Sequence, residues 1–190
     1  MEKVMLLLSG GIDSPVAGWL LGKEREVMAV HFSMEPLTDN EPEEKSRKLA
    51  ENLGFKPFVV ENIAKELKDI AEKCNRRFYF VLMKREMFRR AERLAKEQGC
   101  DFIATGESLG QVSSQTLENL AAIDAAVEIP VLRPLIGMDK QDIVRIAEKV
   151  GSFQISCGKE VCDVLGPEKP ATRARLDDIL EQEQLLKKAL

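Results

Sequence analysis

The stretch LSGGIDSP, residues 8–15, lies between the apolar run VMLLL (4–8) and the apolar stretch VAGWLL (16–21). This order predicts a buried strand, a glycine turn and a helix. Glycines let the backbone approach a ligand closely, and the free N–H groups of a helix start attract anions. Ser9 and Ser14 add hydroxyl donors, which favours a phosphate site. A plain turn in which Asp13 or Ser14 caps the helix explains the stretch equally well at this point.

Asp13 decides what kind of phosphate site this turn would form. A carboxylate repels a bare phosphate, but it fits if Mg²⁺ bridges it to the phosphate oxygens. The stretch contains neither G-K-S/T at Walker A spacing nor G-x-G-x-x-G. The two commonest glycine-rich nucleotide loops are therefore excluded.

Composition narrows the class of protein. The chain has 190 residues, 44% of them hydrophobic, and a net charge of −4, which fits one globular domain without a surface devoted to nucleic acid. No apolar run approaches the ~20 residues of a membrane span, so we expect a cytoplasmic protein with no membrane contact. In that compartment Cys74, Cys100, Cys157 and Cys162 are expected to be free, catalytic or metal-binding rather than disulfide-bonded.

Apolar runs alternate with helical patterns along the whole chain, which predicts an α/β fold with a parallel five-stranded sheet. The predicted strands are 3–8, 27–33, 56–60, 100–106 and 129–135. The predicted helices begin at 15, 43, 63, 75, near Ser113 or Ser114, at 139 and at 171. Ligands bind at the carboxyl ends of such strands, so we expect four strand exits to converge: 9–14, 31–34, 105–108 and 133–135.

Two downstream stretches add candidate residues. In TGESLGQVSSQTLENL (105–120), Gln115 and Asn119 are spaced to share one helix face, which would suit a nucleotide pocket. Lys140 opens the helix at 139–150, where it would contact a phosphate or stabilise developing charge. An ordinary exposed helix lysine is the alternative for Lys140.

The motifs combine into a family resemblance. S-G-G-x-D-S after a first strand resembles the PP-loop of the ATP pyrophosphatases. Four features resemble the ThiI-type tRNA sulfurtransferases that make 4-thiouridine. They are LLLSGGIDSPVAGWLL (6–21), TGESLGQVSSQTLENL, RPLIGMDKQDI (133–143) and Cys162, which four residues separate from PEKPAT (167–172). The resemblance covers essentially the whole chain and implies an adenine-nucleotide alpha-hydrolase-like three-layer fold.

The resemblance implies ATP as cofactor, with Mg²⁺ held through the phosphates and Asp13. A uridine O4 is adenylated with release of pyrophosphate, and persulfide sulfur then displaces AMP. By position, Asp13, Lys140 and Cys162 are the implied catalytic residues, with Cys157 as a possible second thiol. The implied ATP-binding residues are Ser9, Gly10, Gly11, Asp13, Ser14, His31, Phe32, Gly106, Gln115 and Arg133.

The resemblance also raises the question of whether the cysteines of this chain could hold an iron–sulfur cluster. Some archaeal members carry a C-x-x-C pair at the start of the long middle helix, whereas this chain has Phe80 and Met83 there. Three thiolates, from Cys74, Cys157 and Cys162, remain conceivable. A persulfide on Cys162 is the simpler route, so no cluster is expected.

The same family resemblance implies which partners the protein has. Members carry a THUMP-containing tRNA-binding region before the PP-loop, and many carry a rhodanese domain after it. Because the first predicted strand starts near Met1, we expect tRNA to be held by a separate THUMP-type protein, or a different substrate. A stripe of Arg85, Arg89, Arg93 and Lys96 offers RNA contacts, or is simply a solvated helix face. The sulfur donor would be a cysteine desulfurase or sulfide.

We expect a PP-loop domain over 1–170, followed by a C-terminal helix over 171–190 that packs on the domain or on a homodimer partner. Two other functions stay open at this stage. One is a PP-loop enzyme that adenylates a small metabolite for amidation or thiolation. The other is a nucleotide-binding partner subunit without turnover.

Overall fold

The computed structural model of the protein describes residues 1–112, 114–157 and 165–188. Its strands are β1 Lys3–Leu7, β2 Glu26–Ser33, β3 Phe58–Asn62, β4 Phe102–Ala104 and β5 Val131–Leu132. Its helices are α1 Asp13–Leu21, α2 Glu41–Leu53, α3 Ala64–Lys73, α4 Tyr79–Gln98, α5 Leu117–Asp124, α6 Lys140–Lys149, α7 Phe153–Ser156 and α8 Leu176–Lys188. A 3-10 turn, Arg76–Phe78, precedes α4.

The five strands form one sheet in the order β3-β2-β1-β4-β5, and every neighbouring pair is parallel. The predicted α/β fold with a five-stranded parallel sheet is confirmed. β2 and then β3 are added on one side of β1, and β4 and then β5 are added on its other side. Connections leave in opposite directions between β1 and β4, and such a switch point opens a crevice at the carboxyl ends of the strands.

Apolar side chains cover both faces of the sheet, because successive side chains of a strand point to opposite sides. Met5 packs with Phe88 of α4 and Ile123 of α5 on one face. Val4 and Leu6 pack on the other face with α1, α2 and α6. The result is the predicted three-layer arrangement. Helix α8 contacts α3 and α4, and its Ile179 is fully buried.

Several predicted bounds differ from the structure. The helix predicted from 171 begins at Leu176, and the strand predicted over 129–135 spans only Val131–Leu132. The helix predicted to start near Ser113 or Ser114 begins at Leu117, because the Thr116 hydroxyl accepts from the Asn119 amide and caps it there. Ser113 lies outside the described residues. Helix α7 was not predicted, since four residues are too few to show a helical period. Within the described part of the chain, no helix is long and apolar enough to cross a membrane.

Candidate active site

The turn after β1 is closed by its own hydroxyl groups. The Ser9 amide donates to Ser14 Oγ at 2.9 Å, and the two serine hydroxyls lie 3.0 Å apart. Neither Asp13 nor Ser14 caps α1: the N-cap position is Ile12, and it makes no side-chain cap bond. The capped-turn alternative is therefore wrong. The first N–H groups of α1 are left without a side-chain cap, as an anion site requires.

Atoms of other elements approach two glycines around this turn closely, and at one of them, Gly106, only glycine fits without a backbone shift. A Cβ on Gly106, which follows β4, would lie 2.5 Å from the Ser14 nitrogen and 2.7 Å from the Asp13 carbonyl carbon. A Cβ on Gly10 would lie 3.1 Å from Lys45 Cβ. The β4 exit and α2 are thus both packed directly on the loop, which holds the loop's shape.

Lys140 and Asp13 meet at the start of α1. The Lys140 Nζ donates to Asp13 Oδ1 at 2.5 Å across 127 residues of sequence. Ser156 of α7 donates its hydroxyl to the Gly11 carbonyl at 3.2 Å. These two predicted catalytic residues, Asp13 and Lys140, are therefore in contact, and α7 is also bonded to the loop.

A cavity of about 420 Å³ opens on this loop. It is lined by seven of the predicted residues, namely Ser9, Gly10, Gly11, Asp13, His31, Phe32 and Lys140. It is also lined by Met34, which belongs to the predicted strand exit 31–34, and by residues not predicted, including Thr38, Asp39, Pro42, Glu43, Lys45, Met87 and Ser156. Most of the unpredicted group belongs to α2 and the loop before it, which cover the cavity. Its size is within the usual range for a small-molecule site.

Arg133 does not line this cavity, so the predicted ATP contact is not supported by its position. Its guanidinium is bound by Glu107 at 2.8 Å and by both carboxylate oxygens of Asp124 at 2.9 and 2.5 Å. Glu107 also accepts from Lys84 Nζ at 2.5 Å and from the Thr105 hydroxyl at 3.0 Å. This buried network ties α4, α5 and β5 to the segment that carries Gly106.

The charges in the network set the ionisation of Glu107. Burial alone raises the pKa of its carboxyl, but Lys84 and Arg133 outweigh that effect and hold the pKa below its ordinary value. Glu107 is therefore a buried carboxylate, stabilised by two cations.

We expect Glu107→Gln to lower the free energy of unfolding by about 1–3 kcal/mol, because an amide gives a weaker partner to two buried cations. Urea unfolding at neutral pH measures this change. Glu148→Gln, on the exposed face of α6, is the matched control and should leave the stability within about 0.5 kcal/mol. Equal stabilities of the two variants would contradict the prediction.

Gln115 and Asn119 do not share a helix face, because Gln115 precedes α5. The Asn119 side chain is buried and bridges the Ala171 carbonyl and the Ala174 amide, each at 2.9 Å. Asn119 therefore joins α5 to the segment before α8. The buried Gln115 Oε1 has no hydrogen-bond partner among the described residues, and Gln115 does not line the cavity.

The cysteines have different surroundings. Cys162 lies outside the described residues. Cys157 is exposed and directly follows Ser156, so its backbone lies next to the loop. Cys74 is buried in the core beside α8, and its pKa is raised by burial. Cys100 packs against Met28 on the same side of the sheet, with its pKa also raised by burial. In the described ranges no group of three or more metal-ligating side chains occurs.

The basic stripe of α4 is largely neutralised. Arg85 is 1% exposed and donates to the Ala122 carbonyl and to Glu183 of α8. The predicted RNA contact by Arg85 is therefore wrong: its charge is used inside the fold. The other three cations each contact a glutamate: Arg89 contacts Glu183, Arg93 contacts Glu61 and Glu97, and Lys96 contacts Glu92. Their RNA contacts stay predictions.

The strand order, the hydroxyl-closed loop at the start of α1 and the Asp13–Lys140 pair define a PP-loop domain of the ATP pyrophosphatase class. A sequence model of the family described as "Thiamine biosynthesis protein (ThiI)" matches residues 1–187. The chain belongs to the ThiI family.

Curated relatives of the chain support the same family assignment. A "Probable tRNA sulfurtransferase" of Alkaliphilus metalliredigens is 44% identical, over 97% of this chain and 49% of its own length. One of Caldanaerobacter subterraneus is 43% identical, over 96% of this chain and 50% of its own length. The chain thus spans about half the length of these relatives.

Two solved structures share the fold of this chain. The crystal structure of a 4-thiouridine synthetase–RNA complex with bound ATP matches with a TM-score of 0.92 and 37% identity, over 98% of this chain and 51% of that chain. The U34-tRNA thiolase NcsA from Methanococcus maripaludis, with its 4Fe–4S cluster, matches with a TM-score of 0.61 and 20% identity, over 98% of this chain and 65% of that chain. At 20% identity the second match shows a shared fold alone.

Proposed function

We propose that this domain carries out the ATP-dependent chemistry of a tRNA sulfurtransferase and converts a tRNA uridine to 4-thiouridine. The observation that carries the proposal is the Asp13–Lys140 contact at the start of α1, inside a cavity whose floor is the hydroxyl-closed loop. The likeness to a 4-thiouridine synthetase with bound ATP supports it.

In the first step the uridine O4 attacks the α-phosphorus of ATP. The α–β phosphoanhydride bond breaks, and pyrophosphate leaves with the electron pair. The uncapped N–H groups of α1 and the Lys140 ammonium bind the phosphate oxygens, on which negative charge increases as that bond breaks. Asp13 orients the ammonium through their contact.

Mg²⁺ fits this site, because the Asp13 carboxylate is an oxygen ligand at the edge of a phosphate cradle. Asp13 and the ATP phosphates would hold the ion, which neutralises phosphate charge when bound.

In the second step, a persulfide on Cys162 attacks C4 of the uridine and AMP leaves with O4. A thiolate at Cys157 then attacks Cys162 Sγ, so a disulfide forms and the new 4-thiouridine sulfur leaves with the electron pair. A thiol reductant restores the two cysteines. The exposed position of Cys157 beside the loop supports this role.

Partners of the domain are part of the proposal. The substrate is tRNA, held together with a THUMP-type protein or region. A cysteine desulfurase would transfer persulfide sulfur to Cys162, whereas sulfide would attack C4 of the adenylated uridine directly and displace AMP. A homodimer remains a prediction.

Incubation of the protein with ATP, Mg²⁺, tRNA and a persulfide donor tests the function. Pyrophosphate release and mass spectrometry of the tRNA nucleosides are measured together. We expect tRNA-dependent pyrophosphate release and a uridine product heavier by the replacement of oxygen with sulfur. Pyrophosphate release with a small metabolite instead of tRNA would favour the metabolite-activating alternative. ATP binding without any pyrophosphate would favour the partner-subunit alternative.

We expect Cys162→Ala to separate the two steps. Pyrophosphate release should be kept, because the thiol acts only after adenylation. The 4-thiouridine yield should fall about tenfold with a persulfide donor, since the covalent route is lost. Cys100→Ala, a thiol packed against Met28 away from the loop, is the control. Full 4-thiouridine formation by Cys162→Ala would contradict the sulfur-transfer role.

A further inference from the structure

Lys45 of α2 lies against the glycine loop that joins β1 to α1. A Cβ on Gly10 would lie 3.1 Å from Lys45 Cβ and 3.4 Å from its Cδ. The methylene stem of Lys45 therefore runs along the loop, and the ammonium group, which follows two bonds after Cδ, is held close to it. The side chain of Lys45 is 15% exposed and lines the cavity.

The ammonium group of Lys45 has a partner in the fold, but the pair is weak. Its Nζ lies 2.8 Å from Glu41 Oε1, one turn earlier in α2, and the Glu41 side chain is 42% exposed. Such a pair stabilises a helix little, because water solvates the carboxylate and salt screens the attraction. A phosphate oxygen accepts a stronger, charge-assisted hydrogen bond. A triphosphate bound at the loop would therefore draw the ammonium away from Glu41.

The charges around the cavity favour this transfer. Of the described residues that line the cavity, three are acidic and two are lysines: Asp13, Asp39 and Glu43 against Lys45 and Lys140. A polyanion such as ATP would enter a cavity in which carboxylates outnumber ammonium groups. Both ammonium groups are then needed to offset the phosphate charge.

The two lysines reach the loop from different helices. Helix α1 contacts α6, which carries Lys140, and α2, which carries Lys45. Lys140 contacts Asp13 at the start of α1, and the proposed reaction assigns it to the charge that develops as the α–β bond breaks. The terminal phosphate of ATP takes no part in that bond and carries the largest share of the charge. It is the phosphate that a second cation on the loop suits best.

We propose that Lys45 binds the terminal phosphate of ATP, and the same phosphate group in the pyrophosphate product, once its ammonium leaves Glu41. This inference rests on the proposed function, in which the cavity binds ATP. The charge of the terminal phosphate changes little as the α–β bond breaks, so Lys45 stabilises the bound substrate and the transition state equally. Lys45 therefore sets KM, whereas Lys140 acts on kcat.

Lys45→Met keeps the stem that lies on Gly10 and removes the charge. KM for ATP should rise about tenfold, with kcat for pyrophosphate release within about twofold of the wild type. Calorimetry should show inorganic pyrophosphate bound about tenfold more weakly. AMP, which lacks the terminal phosphate, should bind as it does to the wild type. Lys48→Met is the matched control, because Lys48 is an exposed lysine of α2 that does not line the cavity, and it should behave as the wild type.

Glu41→Gln distinguishes phosphate binding from a purely structural role of Lys45. If Lys45 served only to pair with Glu41, losing either partner would weaken pyrophosphate binding alike. Under the proposal Glu41→Gln releases the ammonium, so pyrophosphate should bind at least as tightly as to the wild type.

Three results would overturn the inference: wild-type affinity for pyrophosphate in Lys45→Met, an equal loss of that affinity in Glu41→Gln, or an equal loss of affinity for AMP in Lys45→Met. Each of them leaves the proposed function intact as long as the wild type binds ATP and releases pyrophosphate. Failure of the wild type to bind either ATP or pyrophosphate overturns both.

Discussion

Gly106→Ala is expected to reduce kcat/KM for pyrophosphate release about 100-fold, since misplacing the first turn of α1 by about 1 Å has an effect of this size. The added methyl group would lie 2.5 Å from the Ser14 nitrogen and 2.7 Å from the Asp13 carbonyl carbon. Both are backbone atoms, so no side-chain rotation relieves the contact. The strain should also lower the free energy of unfolding by about 1–3 kcal/mol.

Gly137→Ala is the matched control for this variant. Gly137 lies in the loop between β5 and α6, and an added Cβ there meets no atom within 4 Å. Its stability should stay within about 0.5 kcal/mol of the wild type, with unchanged kcat/KM. Urea unfolding and a coupled pyrophosphate assay measure the two quantities. Wild-type activity and stability in Gly106→Ala would show that the packing of β4 on the loop is not required.

The parts of the site that could be predicted from sequence are local. A buried strand, two glycines and a helix start within 15 residues, and each step follows from side-chain pattern and backbone geometry. The exits of β1 and β2 were also predictable, because parallel strands end at one edge of a sheet. The loop, His31 and Phe32 therefore line the cavity as expected.

Tertiary packing decides the residues that were missed. Pro42, Glu43 and Lys45 line the cavity because α2 lies across the loop, and α2 has the pattern of any surface helix. Arg133 follows β5 as predicted, but Glu107 and Asp124 take up its charge. Arg85 has the spacing of an exposed stripe and is nevertheless buried against Glu183. Sequence spacing gives the direction of a side chain, whereas its partners come from elements far away in the chain.

The Asp13–Lys140 contact depends both on local sequence pattern and on tertiary packing. Each residue has a local signal, one at the start of α1 and the other at the start of α6. Their 2.5 Å contact appears only when α6 packs beside α1. The start of α1 and the Lys140 ammonium then lie together at the cavity, where the phosphates of a nucleotide would bind.

Lys140→Met is expected to lower kcat for pyrophosphate release about 100- to 1000-fold, the range seen when a single group that stabilises transition-state charge is removed. Methionine keeps the length and the apolar stem of lysine but lacks its charge. The side chains of Lys140 and Asp13 are 50% and 23% exposed, so the loss of their ion pair should change the free energy of unfolding by no more than about 1 kcal/mol. A large kinetic effect with a small effect on stability would indicate that Lys140 acts on the phosphates and is not needed to hold the fold.

Lys149→Met supplies the control within the same helix, because Lys149 is an exposed lysine in the last turn of α6. It loses the same charge at a position that does not line the cavity. Lys140→Arg gives a further comparison: it keeps the charge but not the compact ammonium, so it should restore only part of kcat. If Lys140→Met and Lys149→Met released pyrophosphate equally fast, Lys140 would be an ordinary surface lysine, and the charge stabilisation would have to come from the N–H groups of α1 alone.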